Sequence, residues 1–249
     1  MTSLGITVTD RDGVRHVVLD RPDKKNALTV AMYAALADAV ESAAADDVGA
    51  VLIGANGGTF CAGNDLRDFL ERAAFADSPA MRFLHALAST DVPLVVAVRG
   101  AAVGIDTTML LHADLVYAAP SASLRLPFVD LGIVPEAGST VLLPRLLGYA
   151  RTGAALFLGE PIDATHAERD GLITKVVADE ELDAAALAAA RAVAAKPRGA
   201  VRATKRLLHH DRAQIVEAID REGKAFGERL QSPEARAIMA AFFERGARA

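Results

Sequence analysis

The chain has 249 residues, 52% of them hydrophobic and 24% charged, with a formal net charge of −5. That apolar content supports a sizeable core and excludes a disordered chain, and the acidic balance excludes general affinity for nucleic acid or for an anionic membrane surface. Cys61 is the only cysteine, so no intrachain disulfide forms, and the N-terminus lacks a basic segment leading into an apolar run; both point to a soluble, cytoplasmic protein.

Residues 6–8 and 14–19 read as a hairpin turning at Asp12-Gly13, followed by a polar loop over 21–26. Thr29 is placed to cap a helix running to about residue 45, with apolar positions at Met32, Leu36, Ala39, Val40 and Ala43. A buried strand over 48–53 ends at Asn56-Gly57-Gly58. Helices are predicted over 66–75 and 80–89, separated by a break at 76–79. A strand over 94–98, a glycine-rich link over 99–104 and a helix over 105–112 follow. Then come strands at 115–118 and 123–126, helices at 139–147 and 149–158, and a strand at 173–177. This alternation predicts an α/β core with buried parallel strands. The segments 180–195, 198–210, 214–230 and 233–245 are helical by period. Lys196-Pro197-Arg198 marks the boundary between a core over 1–195 and a C-terminal helical region over 196–249. The apolar faces of that region (Ile215, Ile219, Phe226; Ile238, Phe242, Phe243) must be covered by the core, a neighbouring subunit or a ligand.

Familiar chemistries are thinly represented. None of the six histidines stands at a metal-helix spacing with a matching carboxylate, and one cysteine cannot build a thiolate site, so no metal is expected. There is no phosphate-binding G-x-x-x-x-G-K-[ST], no G-x-G-x-x-G and no G-x-S-x-G. Cys61 reads as a small residue packed in a tight turn. Glu136 stands apart, in the apolar, turn-forming string Val134-Pro135-Glu136-Ala137-Gly138-Ser139. It reads either as a carboxylate near a helix N-terminus or as a base whose pKa is raised by desolvation. Gly63 and Gly104 either serve ordinary connections or let the backbone approach a ligand with free N–H groups.

Several strings in a fixed order carry a resemblance: Leu19-Asp20-Arg21-Pro22 with Asn26-Ala27-Leu28, the string Phe60-Cys61-Ala62-Gly63-Asn64-Asp65-Leu66, residues 93–104, Ala113-Asp114, and residues 127–138. Together they cover nearly the whole chain, which resembles the enoyl-CoA hydratase/isomerase (crotonase) superfamily. The resemblance implies a spiral of strand–strand–helix turns with a C-terminal all-helical trimerisation region, and trimers or dimers of trimers. It implies an acyl-CoA thioester as substrate, coenzyme A being part of that substrate and no further cofactor needed. Two backbone N–H groups hold the thioester enolate, and by motif position they belong to Ala62 and Ile105. Cys61, Gly63, Asn64, Asp65, Leu66, Gly104 and Phe128 are then substrate-lining, and Lys24, with Lys25, lies near the phosphates of the coenzyme.

Departures from the pattern choose the reaction. Hydratases of the family carry two glutamates that handle water; their places here are held by Thr108 and Phe128. Glu136 falls where Δ3,Δ2-enoyl-CoA isomerases of the peroxisomal type place their single catalytic glutamate. The expected reaction is therefore a 1,3-proton shift by one base. Asp106, beside Ile105, reads as a helix-start residue bonding local N–H groups and as a secondary candidate acid. The alternatives are hydration or another crotonase-type reaction, and a non-catalytic CoA- or RNA-binding relative. The last is disfavoured because the densest basic run, 198–212, is interrupted by apolar and acidic residues.

Overall fold

In the computed structural model, which describes residues 5–65, 75 and 78–246, the first hairpin joins β1 (Ile6–Arg11) to β2 (Val14–Leu19). Asp12 and Gly13 both take positive φ, 55° and 73°, as a two-residue hairpin turn matched to strand twist requires. The chain then climbs through β3 (Ala50–Ala55), β4 (Leu94–Val98) with β5 (Ala101–Val103) directly after it, β6 (Leu115–Ala118) followed by β7 (Ser123–Arg125), β8 (Ile162–Asp163) and β9 (Lys175–Val176). One sheet has the order β1-β2-β3-β4-β6-β9, parallel after the first hairpin; a second has the order β5-β7-β8. From β4 onward the chain alternates, β4 and β6 entering the large sheet and β5 and β7 the small one, which is the strand–strand–helix spiral expected.

The helices are set by their caps. The Thr29 hydroxyl accepts the Met32 N–H at 3.3 Å and starts α1 (Val30–Ser42). Helix α2 (Pro79–Ser89) begins at the proline that the sequence suggested as a break. The Ser78 hydroxyl caps it, and Pro79 takes a first-turn position, where a missing N–H leaves nothing unsatisfied. The helix predicted over 105–112 is a single α turn, α3 (Ile105–Thr108), tightening into a 3-10 turn at Met109–His112. Then come α4 (Ser139–Leu147), α5 (Tyr149–Phe157), α6 (Ala164–Arg169), α7 (Leu182–Ala194), α8 (Arg198–Leu208), α9 (Arg212–Leu230) and α10 (Pro233–Gly246). Strands β5 and β8 and helix α6 had not been predicted; the strands are two or three residues long, too short for a period to show. The strand predicted over 173–177 shrinks to β9. The helix predicted over 66–75 lies outside the described residues, except Phe75.

One face of the large sheet carries the main core, with Met32, Leu36, Phe60, Phe83, Leu84 and Leu124 fully buried. The other face is covered by Leu182, Ala186 and Ala190 of α7, packed on Val14, Ala50, Leu52, Val95 and Ala97. Ile215, Ile219 and Phe226 of α9 join the main core, and Phe226 stacks on Phe75 at 4.4 Å between ring centroids. The apolar face of α9 is therefore covered by the same chain. Among the described residues, no helix is long and apolar enough to cross a membrane.

Candidate active site

The two glycine turns meet because they are successive steps of the spiral in register. Cys61 bridges Ala102 in the parallel sense: the Cys61 N–H donates to the Ala101 carbonyl at 3.0 Å, and the Val103 N–H to the Cys61 carbonyl at 3.2 Å. Residues 61–65 thus lie beside 102–106. Gly63 has φ 93°, and a side chain there would press on the Val103 carbonyl at 3.3 Å. Gly104, at φ 63° and ψ −119°, occupies a region that only glycine adopts without strain.

Accounting for the N–H groups of residues 62–65, 104 and 105 isolates two. Ala62 donates to the Lys25 carbonyl at 3.0 Å, Gly63 to Asp106 Oδ2 at 3.1 Å, Asp65 to the Leu28 carbonyl at 2.8 Å, and Gly104 to the Arg125 carbonyl at 2.8 Å. The Asn64 N–H and the Ile105 N–H have no acceptor among the described residues. Ile105 opens α3, where an N–H has no partner within its own helix. The expected pairing of Ala62 with Ile105 is therefore corrected: the Ala62 N–H is taken, and the free donor of the first turn is Asn64. The cause lies upstream. Lys25 and Asn26 both adopt left-handed backbone, φ 50° and 57°, which turns the Lys25 carbonyl onto Ala62. Fully buried Asn26 locks that loop, donating through Nδ2 to the Asn56 and Thr59 carbonyls at 2.9 Å and accepting the Arg21 N–H at 2.8 Å.

Glu136 projects from the turn between the 3-10 helix Val129–Leu131 and α4. It is 4% exposed. Its Oε1 accepts the Thr108 hydroxyl at 2.7 Å, while Oε2 is buried with no partner among the described residues. Burial pushes its pKa up to about 8, with lesser contributions from Glu222 and Asp106 and an opposing one from Thr108. The turn behind it is strained: Ala137 has φ 64° and Gly138 φ 69°. His112 faces the Ala137 carbonyl through Nε2 at 2.8 Å; burial holds that histidine down to about 4, so the neutral ring donates from Nε2.

Asp106, in the first turn of α3, is fully buried. Its Oδ2 reaches across to the Gly63 N–H, and its Oδ1 has no partner among the described residues. Burial raises it to about 7. Asp106 thus does more than the local helix-start reading expects: besides its own N–H it holds that of Gly63 and ties the two turns together. The Cys61 thiol donates to the Asn26 carbonyl at 2.9 Å and is pushed well up by burial and by Asp106, so it stays a protonated packing group. Asn64 Oδ1 accepts the Tyr33 hydroxyl at 2.6 Å, and Asp65 pairs with Arg21 at 2.9 Å. Phe128 belongs to the main core with Leu126 and Ile133. Lys24 and Lys25 are exposed. Leu66 lies outside the described residues. Thr108, first read only as a missing acid, and Asn26 and His112, given no role, all prove to hold the site. An asparagine in a tight polar loop was a visible signal; the other two depend on contacts across the fold.

Residues 9–248 match the family model described as enoyl-CoA hydratase/isomerase. The chain is 32% identical over 227 residues to enoyl-CoA delta isomerase 2 of Rattus norvegicus, covering 88% of this chain but only 58% of that relative's length. Among solved structures it is similar to an enoyl-CoA hydratase/isomerase from Pseudoalteromonas atlantica T6c, with TM-score 0.92, 42% identity and 97% of each chain covered. It is also similar to an enoyl-CoA hydratase from Mycobacterium avium subsp. paratuberculosis K-10, with TM-score 0.87, 30% identity and coverage of 97% and 96%. Spiral topology, paired glycine turns and these matches agree, and the chain belongs to the enoyl-CoA hydratase/isomerase, or crotonase, family.

Proposed function

We propose that the chain acts on acyl-CoA thioesters as a Δ3,Δ2-enoyl-CoA isomerase, with Glu136 as its single base. The observation that carries this reading is the division of labour within one buried carboxylate: Oε1 is held by Thr108, and Oε2 is buried with no partner among the described residues. The thioester oxygen of a 3-enoyl substrate sits between the N–H groups of Asn64 and Ile105, which makes the C2 protons acidic. Ionised Glu136 removes one of them through Oε2. The electron pair spreads over C2, C4 and the thioester oxygen as a dienolate. The same oxygen returns the proton at C4, leaving the conjugated 2-enoyl thioester with Glu136 ionised again. One base serves a 1,3-shift, whereas hydration needs water handled at two points. Exposed Lys24 and Lys25 meet the phosphates of the coenzyme. Exposed Tyr149, Phe157 and Leu158 support assembly as a homotrimer or a dimer of trimers.

Hydration is the second reading, and Asp106 is what favours it: a second buried carboxyl, held near 7, with one oxygen that has no partner among the described residues. Assaying a medium-chain 3-enoyl-CoA and the matching 2-enoyl-CoA side by side separates the two. Double-bond migration far faster than water addition is the expected result. Fast hydration without migration would overturn the isomerase reading.

A further inference from the structure

Glu222 lies in the middle of α9, far along the chain from Glu136, and its side chain is buried. Its Oε2 accepts the Gly138 N–H at 2.7 Å; its Oε1 accepts the Thr140 N–H at 3.0 Å and the Thr140 hydroxyl. These groups open α4, whose capping residue, Gly138, has no side chain to cap it. A helix start without a local cap leaves several N–H donors and the positive end of the helix dipole unsatisfied. Glu222 supplies both the acceptors and the negative charge from another helix. Two residues earlier, on the same left-handed turn, stands Glu136. Helix α9 also fills the space behind the turn: a side chain at Gly138 would press on Ile215 at 3.0 Å and approach Ile219 at 3.6 Å.

We propose that Glu222 is a positioning residue for Glu136: it clamps the turn that presents the base, and its negative charge keeps that base strong. This rests on the reading of Glu136 as the base. The groups acting on Glu136 are the Thr108 hydroxyl and the Asp106 carboxyl of α3, Glu222 of α9, and, behind the turn, neutral His112 on the Ala137 carbonyl. Glu222 itself is faced by Thr140 of α4 and by Arg221 on its own helix. Its own pKa is raised by burial against the opposing pull of the two N–H donors and the Thr140 hydroxyl. The sign follows. Removing a nearby negative charge favours the ionised form of Glu136, so Glu136 becomes easier to ionise and weaker as a base.

Glu222→Gln keeps the shape and one acceptor oxygen, and loses the charge and the second acceptor. The expected result is a limiting turnover number, read above the inflection, at least threefold lower, a KM within about twofold, and an inflection of kcat/KM moved to lower pH. Glu222→Ala should cost more turnover and also stability. A second readout needs no activity: the carboxyl 13C titration of Glu136, assigned by its absence in Glu136→Gln, should move its midpoint down in Glu222→Gln. An unmoved midpoint together with a turnover within twofold of the parent would reduce Glu222 to an ordinary helix cap and overturn the proposal. If Glu136→Gln itself keeps full turnover, it is the base assignment that fails, and the carboxyl titration still decides whether Glu222 acts on Glu136.

Discussion

Replacing Glu136 by glutamine tests the chemistry and the energetics of the site with one atom. The amide keeps an oxygen for the Thr108 hydroxyl and loses only the ability to take a proton. In the native protein the carboxyl holds its proton up to about pH 8, against an ordinary value of 4.5. The unfolded chain releases that proton near 4.5. Between the two values the native state binds more protons than the unfolded one, so stability falls as pH rises through this window and levels off above it. At about 1.4 kcal/mol per tenfold, the gap sets an upper bound of about 5 kcal/mol for what the buried charge costs the native state above pH 8. Glutamine carries no such penalty.

The expected outcome is twofold. Turnover on a 3-enoyl-CoA falls by about 10²–10⁴, the range for loss of a general base. Urea unfolding at a series of pH values shows the variant gaining on the parent from about pH 5 to about pH 8, with a constant difference beyond. Asp106 titrates in both proteins, so the difference between the curves reports Glu136. Stability curves that run parallel from pH 5 to 9, with turnover within about threefold of the parent, would refute both the buried charge and the base.

Three further outcomes follow from the same contacts. Thr108→Val removes the hydroxyl that lowers the pKa of Glu136, so the inflection of kcat/KM should move to higher pH and kcat/KM at neutral pH should fall about tenfold, read from pH–rate profiles. Asp106→Asn keeps an oxygen for the Gly63 N–H and removes a buried charge, so by urea titration the variant should gain on the parent from about pH 4 to about pH 7 and hold that gain above it, and its Glu136 inflection should move to lower pH. Asn26→Ala breaks three hydrogen bonds of a fully buried amide; at about 1 kcal/mol each the loss is about 3 kcal/mol, measured as a lower urea midpoint.

The main strands and most helices were legible because their periods are long enough to read: 94–98, 115–118 and 139–147 stand where their apolar patterns put them. What escaped is local. Strands β5 and β8 are shorter than any period, and Pro79 opens a helix because Ser78 caps it. In the candidate site, motif position points to Glu136 and Ile105, and these carry a buried carboxyl oxygen and an N–H without partners among the described residues. The donor of the first turn was misplaced by two residues, since the choice among Ala62, Gly63 and Asn64 depends on which N–H groups Lys25 and Asp106 already hold. Glu222 was invisible because nothing local shows that residues more than eighty apart share a helix cap.

Thr108 links the missing acid to the proposed reaction. A carboxylate at that position would stand where a hydroxyl now touches Glu136 at 2.7 Å. Two carboxylates that close cannot both ionise, and the pair would share a proton or draw in water to separate them. That is a useful arrangement for adding water and a poor one for moving a proton along a carbon chain. A hydroxyl reverses both effects. It donates to one oxygen, lowers the cost of ionising the glutamate and brings no second charge, while the other oxygen is buried with no partner among the described residues. On the proposed reading, the change at Thr108 therefore tunes Glu136 toward a base that serves C2 and C4 in turn, in addition to removing a group that handles water.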